Sequence, residues 1–308
     1  MRTKNKLYTV LAVFLILILL TGFGAFKGSG GTASPLGNTG ASKGTEGDSK
    51  SSSVKIKRLG GVGTRMPEAS SLVFFTSTIG QKLTSYKAYK NFDEAVCSLT
   101  NGEIDAIWAC DVSTGYLESN YPGMVKADIS TMADIQKTEE PRFSFGMALK
   151  KNKGEALQVK INKYLADMKE DGTLSKLISE YIDNAAFYET EQGKDKRFYP
   201  KNMRKINGNT ITVGITGAVP PIELLDEDME PYGFCVALMD ELGARLGQKV
   251  KFVYLDNETA FTSLMSEKVD MIFAYGTGRI TTETKQNFIM TDGYYNMQRY
   301  EILTLENK

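Results

Sequence analysis

The chain has 308 residues and balanced charge, with Lys+Arg and Asp+Glu at 37 each, a length that suits about two domains. No histidine is present, which excludes Ser-His-Asp and Cys-His catalysis, HExxH zinc chemistry and histidine proton relays. With no clustered positive charge, no Walker A loop, no GxGxxG after a strand and no paired CxxC, neither nucleic acid nor a nucleotide or structural zinc is an expected partner, and no cofactor is expected.

At the amino terminus Arg2, Lys4 and Lys6 precede an uncharged apolar run of 20 residues, 7–26. At about 1.5 Å per residue this run crosses a bilayer core of roughly 30 Å, and the flanking positive charges place the body of the chain outside the cytoplasm. Two readings fit residues 1–26: an uncleaved transmembrane anchor, or a signal peptide. The stretch LLTGFG resembles a bacterial lipoprotein cleavage box, but Phe23 stands where the lipidated cysteine belongs. Residues 27–53 are rich in Gly, Ser, Thr and Lys and almost free of large apolar side chains, the composition of a disordered linker.

The next segment, 54–141, contains NFDEAVCSLTNGEIDAIWACD at 91–111, which is echoed by NETAFTSLMSEKVDMIFAYG at 257–276. Ala95, Ser98, Leu99, Asp105, Ile107 and Ala109 return 165 positions later as Ala260, Ser263, Leu264, Asp270, Ile272 and Ala274. The pattern predicts a short helix with Ala95 and Leu99 on its core face, a tight turn and a buried parallel strand over 104–109. Two related α/β lobes follow. Ligands of open α/β sheets bind beyond the carboxyl ends of strands, here Cys110 and Asp111 in one lobe and Tyr275 and Gly276 in the other. Trp108 and Phe273 fall mid-strand and are expected in the core. Cys97 on its helix is expected to be structural, and Cys235, at the start of a helix, to be a packed thiol. Three cysteines do not make a disulfide framework.

Three further stretches carry a resemblance. TITVGITGAVPPIELLDEDMEPYGFCVALMDELGARLG at 210–247 looks like an opening strand, a Pro-Pro turn and a helix after Gly-Phe. VDMIFAYGTGRITTETKQNFIMTDGYY at 269–295 looks like the next strand, an Ile-Thr-Pro-Glu-Arg loop and an Asp-Pro-Tyr-Tyr turn. FSFGMALKKNKGEALQVKINKYLADMKEDGTLSKLISEYI at 143–182 looks like a closing strand and two helices. In these the chain resembles the extracytoplasmic solute-binding proteins of family 3, the amino-acid type. The resemblance implies a two-lobed, hinged α/β fold of the type II periplasmic-binding-protein kind, and binding without chemistry.

The block order departs from the family's, as in a circular permutation. A lobe 2-like domain spans 54–141, and the closing strand and helices of lobe 1 span 142–185. A linker at 186–207 is expected to join the family's termini. The main part of lobe 1 spans 208–296, and a hinge-crossing strand 297–308. A fragment of a tandem array is the other explanation of this order. The first gives a monomer and the second a swapped dimer.

The resemblance also implies a clamp for an α-amino acid, from which this chain departs. The family's carboxylate arginine aligns with Thr284, while Arg279 lies five residues earlier. The ammonium-binding acid aligns with Cys110, next to Asp111. A first-strand acid aligns with Thr216 and its aromatic partner with Val219. The Gly-Thr of the other lobe is kept as Gly63 and Thr64. The candidate ligand residues are therefore Arg279, Thr277, Thr281, Asp111, Cys110, Thr64 and Thr216, with Arg279 as the anion hook, since a guanidinium fork suits a carboxylate. Asp292, Tyr294 and Tyr295 are expected to hold the fold. The function implied is capture of a small polar solute, an amino acid or related anion, for a transporter permease. A membrane-tethered sensing module and a scaffold that binds nothing are the alternatives.

Overall fold

The computed structural model describes residues 54–63, 68–129, 143–276 and 286–306, all in one compact unit. The apolar segment 1–26, the linker 27–53 and the candidates Thr64, Thr277, Arg279 and Thr281 lie outside the described residues. Among those described, no helix is long and apolar enough to cross a membrane.

The first sheet is built from β1 (Arg58–Val62), helix α1 (Glu68–Ile79), β2 (Ser85–Tyr89), helix α2 (Phe92–Thr100), β3 (Ala106–Cys110), helix α3 (Asp111–Asn120) and β4 (Met124–Lys126). The chain then passes into a second sheet through β5 (Phe143–Lys150), followed by helices α4 (Glu155–Glu170) and α5 (Thr173–Ile178) and the single turn α6 (Glu191–Lys194). That sheet is completed by β6 (Thr210–Ile215), β9 (Lys249–Tyr254), β10 (Met271–Gly276), β11 (Phe288–Met290) and β12 (Tyr295–Met297), with a separate two-residue ladder of β7 (Leu224–Leu225) with β8 (Pro231–Tyr232) and helix α7 (Phe234–Leu246) between β6 and β9, and helix α8 (Ala260–Met265) between β9 and β10. Finally β13 (Tyr300–Leu305) returns to the first sheet.

The strand orders are β2-β1-β3-β13-β4 and β11-β5-β10-β6-β9, with β12 also on β5. β1 runs parallel to β2 and β3, and β6 parallel to β9 and β10. The two strands that carry the chain between sheets, β5 and β13, are antiparallel to their neighbours. The strands that pass between the sheets are thus Phe143–Lys150 and Tyr300–Leu305.

Each sheet is covered on both faces, which explains the near-continuous apolar runs of its inner strands. Met271, Ile272 and Phe273 of β10 are at most 1% exposed and divide between two core clusters, one with α4 and α7 and one with α8. The echoed helices behave alike: Ala95 and Leu99 of α2, and Ala260 and Leu264 of α8, are fully buried. α2 begins where the Asn91 side chain accepts the Glu94 N–H at 2.9 Å, the usual service of an N-cap asparagine. Tyr294 stacks on Phe273 at 5.0 Å and its hydroxyl accepts the Ala274 N–H.

Two expectations are amended, and the segment 186–207, expected as a linker, is ordered and packed. Arg197 pairs with Glu189 at 2.6 Å and lies 4.2 Å above the Tyr232 ring, and Tyr232 donates its hydroxyl to Glu189 at 2.5 Å. Cys97 is exposed rather than packed, because its position on α2 faces away from Ala95 and Leu99. Trp108 is only partly buried, stacked on Tyr300 at 4.8 Å at the margin of the core.

Candidate functional site

β6 and β10 lie side by side as parallel strands. Beyond them sits a small cavity of about 20 Å3, lined on this side by Thr216, Ala218, Val219, Phe273, Ala274 and Tyr275. Asn257 adds to the wall, and Gly63, just past the end of β1, closes it from the other sheet. A space of this size holds about one water. Two side-chain hydrogen bonds flank it and join the sheets. Ser113, with no exposure, donates to the Pro220 carbonyl at 2.6 Å, and Asn257 donates from Nδ2 to the Lys90 carbonyl at 3.1 Å.

The backbone of this wall is unusual at Ala274, whose φ of 46° lies in the left-handed region. A residue with a side chain adopts that region at a cost of about 1–3 kcal/mol, and such positions cluster at functional sites. The β10–β5 register shifts between Ile272 and Tyr275, so Ala274 sits in an irregularity of the strand. That irregularity turns the Ala274 N–H to the Tyr294 hydroxyl at 2.9 Å.

Of the sequence candidates, Thr216 lines the cavity, and its hydroxyl donates to Glu223 Oε2 at 2.9 Å. Cys110 and Asp111 stand at the end of β3, as expected, but do not line this cavity. Cys110 caps α3 with its backbone, and its thiol is buried 3.3 Å from the Ser113 hydroxyl. Asp111 is the first residue of α3. Its Oδ2 accepts the N–H groups of Gln298 and Arg299 at 2.9 and 3.2 Å, and its Oδ1 accepts that of Val112 at 2.9 Å. The Asp111 carboxylate thus ties the approach to β13. Cys235 is the packed thiol expected: it has no exposure, and burial pushes its pKa up.

Sequence reading missed Glu223 and Asn257, whereas Tyr275 stands at the strand end that it named. Glu223 stands between Ile222 and Leu224 in a short apolar run. A lone carboxylate in such a run was the available signal, since charges are rarely fully buried without partners. It is 1% exposed, and burial raises its pKa to about 7 against the opposing hydrogen bonds from Thr216, Ala218 and Gly217. Among the described residues no cluster of His, Cys, Asp or Glu could hold a metal ion.

Two α/β sheets, two strands passing between them and a cavity at facing strand ends are the architecture of the two-lobed periplasmic-binding-protein-like fold. Residues 211–308 match the family of bacterial extracellular solute-binding proteins, family 3. No curated protein matches the chain. Among solved structures, the ligand-binding component of an ABC-type import system from Staphylococcus aureus with zinc bound is 8% identical, with a TM-score of 0.39 over 82% of this chain and 66% of that one. The periplasmic aliphatic sulphonate-binding protein SsuA from Escherichia coli is 10% identical, with a TM-score of 0.36 over 82% and 65%. The periplasmic VFT2 domain of BvgS from Bordetella pertussis is 11% identical, with a TM-score of 0.37 over 82% of each chain. The chain spans just under two thirds of the length of the first two. At these TM-scores the likenesses say nothing of ligand or partner.

Proposed function

We propose that the chain is an extracytoplasmic, membrane-tethered solute-binding protein. It captures a small polar solute, an amino acid or a related anion, between its two sheets and hands it to a transporter permease. The observation that carries this reading is the cavity shared by the strand ends of one sheet and by Gly63 of the other. A space of about 20 Å3 is too small for an amino acid, so entry requires the sheets to part, by hinge motion about the two crossing strands. Arg279, Thr277, Thr281 and Thr64 are proposed to complete the site with Thr216, and Arg279 is proposed as the anion hook. Cys110 and Asp111, at the end of β3, are proposed to contribute to the site from the first sheet.

The same reading takes the chain as a circular permutation and a monomer. Two features support it: the family match falls at 211–308, and the chain enters the second sheet by β5 and leaves by β13. Thermal-shift screening of the purified chain against amino acids, peptides and small organic acids tests the function. A rise in unfolding temperature with one solute class is expected, and Arg279→Ala abolishes it. A screen without any response defeats the solute reading, and a response untouched by Arg279→Ala removes Arg279 from the site. The solution mass of the chain separates the monomer from a swapped dimer.

A further inference from the structure

One acidic group stands directly behind the cavity wall. Glu223 is 1% exposed, with Thr216 donating its hydroxyl to Oε2 at 2.9 Å and its N–H toward Oε1 at 3.5 Å. The N–H groups of Gly217 and Ala218 also turn to this carboxylate. The turn depends on Gly217, whose φ is +68° and whose added Cβ would fall 2.6 Å from Leu225 Cδ1. The titratable groups facing Glu223 are the Cys235 thiol, from the first turn of α7, and the Tyr294 phenol, from the turn before β12. Burial raises the pKa of both, so both are neutral near pH 7 and neither balances the carboxylate.

The hydroxyl of Thr216 has one hydrogen to donate. With Glu223 ionised, that hydrogen is held by the carboxylate, and the Thr216 oxygen takes the Ala218 N–H at 3.4 Å. The cavity then receives no donor from Thr216. With Glu223 protonated, the acid itself donates to the Thr216 oxygen, and the hydroxyl hydrogen is released toward the cavity. We propose that Glu223 is the positioning residue of this wall: its proton decides whether Thr216 presents a hydrogen-bond donor to the cleft. This rests on the cavity being the solute site, and it favours solutes that place an acceptor oxygen against Thr216 when Glu223 is protonated. Burial lifts the pKa of Glu223 to about 7, so the change falls near neutrality.

The test is an amide titration of the full-length chain, labelled at Thr, Gly and Ala, from about pH 5.5 to about 8.5, a window centred on the shifted group. The N–H resonances of Thr216, Gly217 and Ala218 should move together with a midpoint of about 7. In Glu223→Gln that movement should vanish. Amides that do not titrate, or whose titration survives Glu223→Gln, overturn the proposal. Should Glu223→Gln fail to fold, Thr216→Val decides. It keeps the acid and removes a donor that favours the ionised form, so the midpoint at Gly217 and Ala218 must rise; an unchanged midpoint overturns the proposal. No solute is needed, so failure here leaves the solute reading standing, and an empty solute screen leaves the titration standing.

Discussion

The ends of β3 and β10 occupy equivalent places in the two sheets and descend from matching sequence, yet they do different work. At β3 a helix begins with the next residue, and every polar side chain of its first turn is committed to a neighbour. Asp111 holds the N–H groups of Gln298 and Arg299, Ser113 reaches Pro220, and Thr114 donates to Glu301. At β10 the strand bends through a left-handed Ala274 and leaves Tyr275 against the cavity. One strand end has become a joint between sheets, and the other has stayed a wall. Position in a fold nominates a site, but the contacts made at each strand end decide its use.

The largest effect expected is on the wall side, from Glu223. Its folded pKa of about 7 lies above the ordinary 4.5. The stability it contributes is complete below about pH 4.5 and is lost as pH rises through about 7. At 1.36 kcal/mol per pKa unit the change amounts to about 3 kcal/mol. Urea unfolding at both ends of that range should show the loss in the wild-type chain and little of it in Glu223→Gln; equal slopes would contradict it. Next, on the joint side, Ser113→Ala leaves the buried Pro220 carbonyl unpaired and should lower stability by about 1–3 kcal/mol, with a shift of the urea midpoint as readout. Asp111→Ala removes the acceptor of two less buried N–H groups and should cost about 1–2 kcal/mol. It should also raise amide exchange at Gln298 and Arg299; protection unchanged there would show that the carboxylate is not their anchor. The smallest effect belongs to Asn257→Ala, whose exposed bond to Lys90 should be worth no more than about 0.5 kcal/mol. Calorimetry would detect a larger loss, and that loss would mean that this link between the sheets carries more than an exposed hydrogen bond.

The core of both lobes was legible because it follows local periodicity. Ala95 and Leu99, and Ala260 and Leu264, are one helical turn apart and face inward in both copies. The crossing strands were legible through resemblance. The uses of Asp111 and Cys110 were not, because the amides that Asp111 binds lie 187 and 188 positions away. The segment 186–207 reads as a linker because it is polar, but composition does not tell a solvated charge from one paired over an aromatic ring, as Arg197 is with Glu189 above Tyr232. Glu223 was overlooked because the turn that feeds it N–H groups exists only once Gly217 adopts its left-handed conformation.

The return of β13 to the first sheet has a consequence for synthesis. Every strand of the second sheet has been made once residue 297 emerges from the ribosome, whereas the first sheet, begun at residue 58, waits for 300–305. Until then β3 carries an open edge, and β4 has no partner among the described strands. The earlier-made half of the protein is therefore the later to finish, and an unpaired edge invites association with other chains. Premature termination or slow elongation near residue 300 would leave a complete second sheet attached to an aggregation-prone first one.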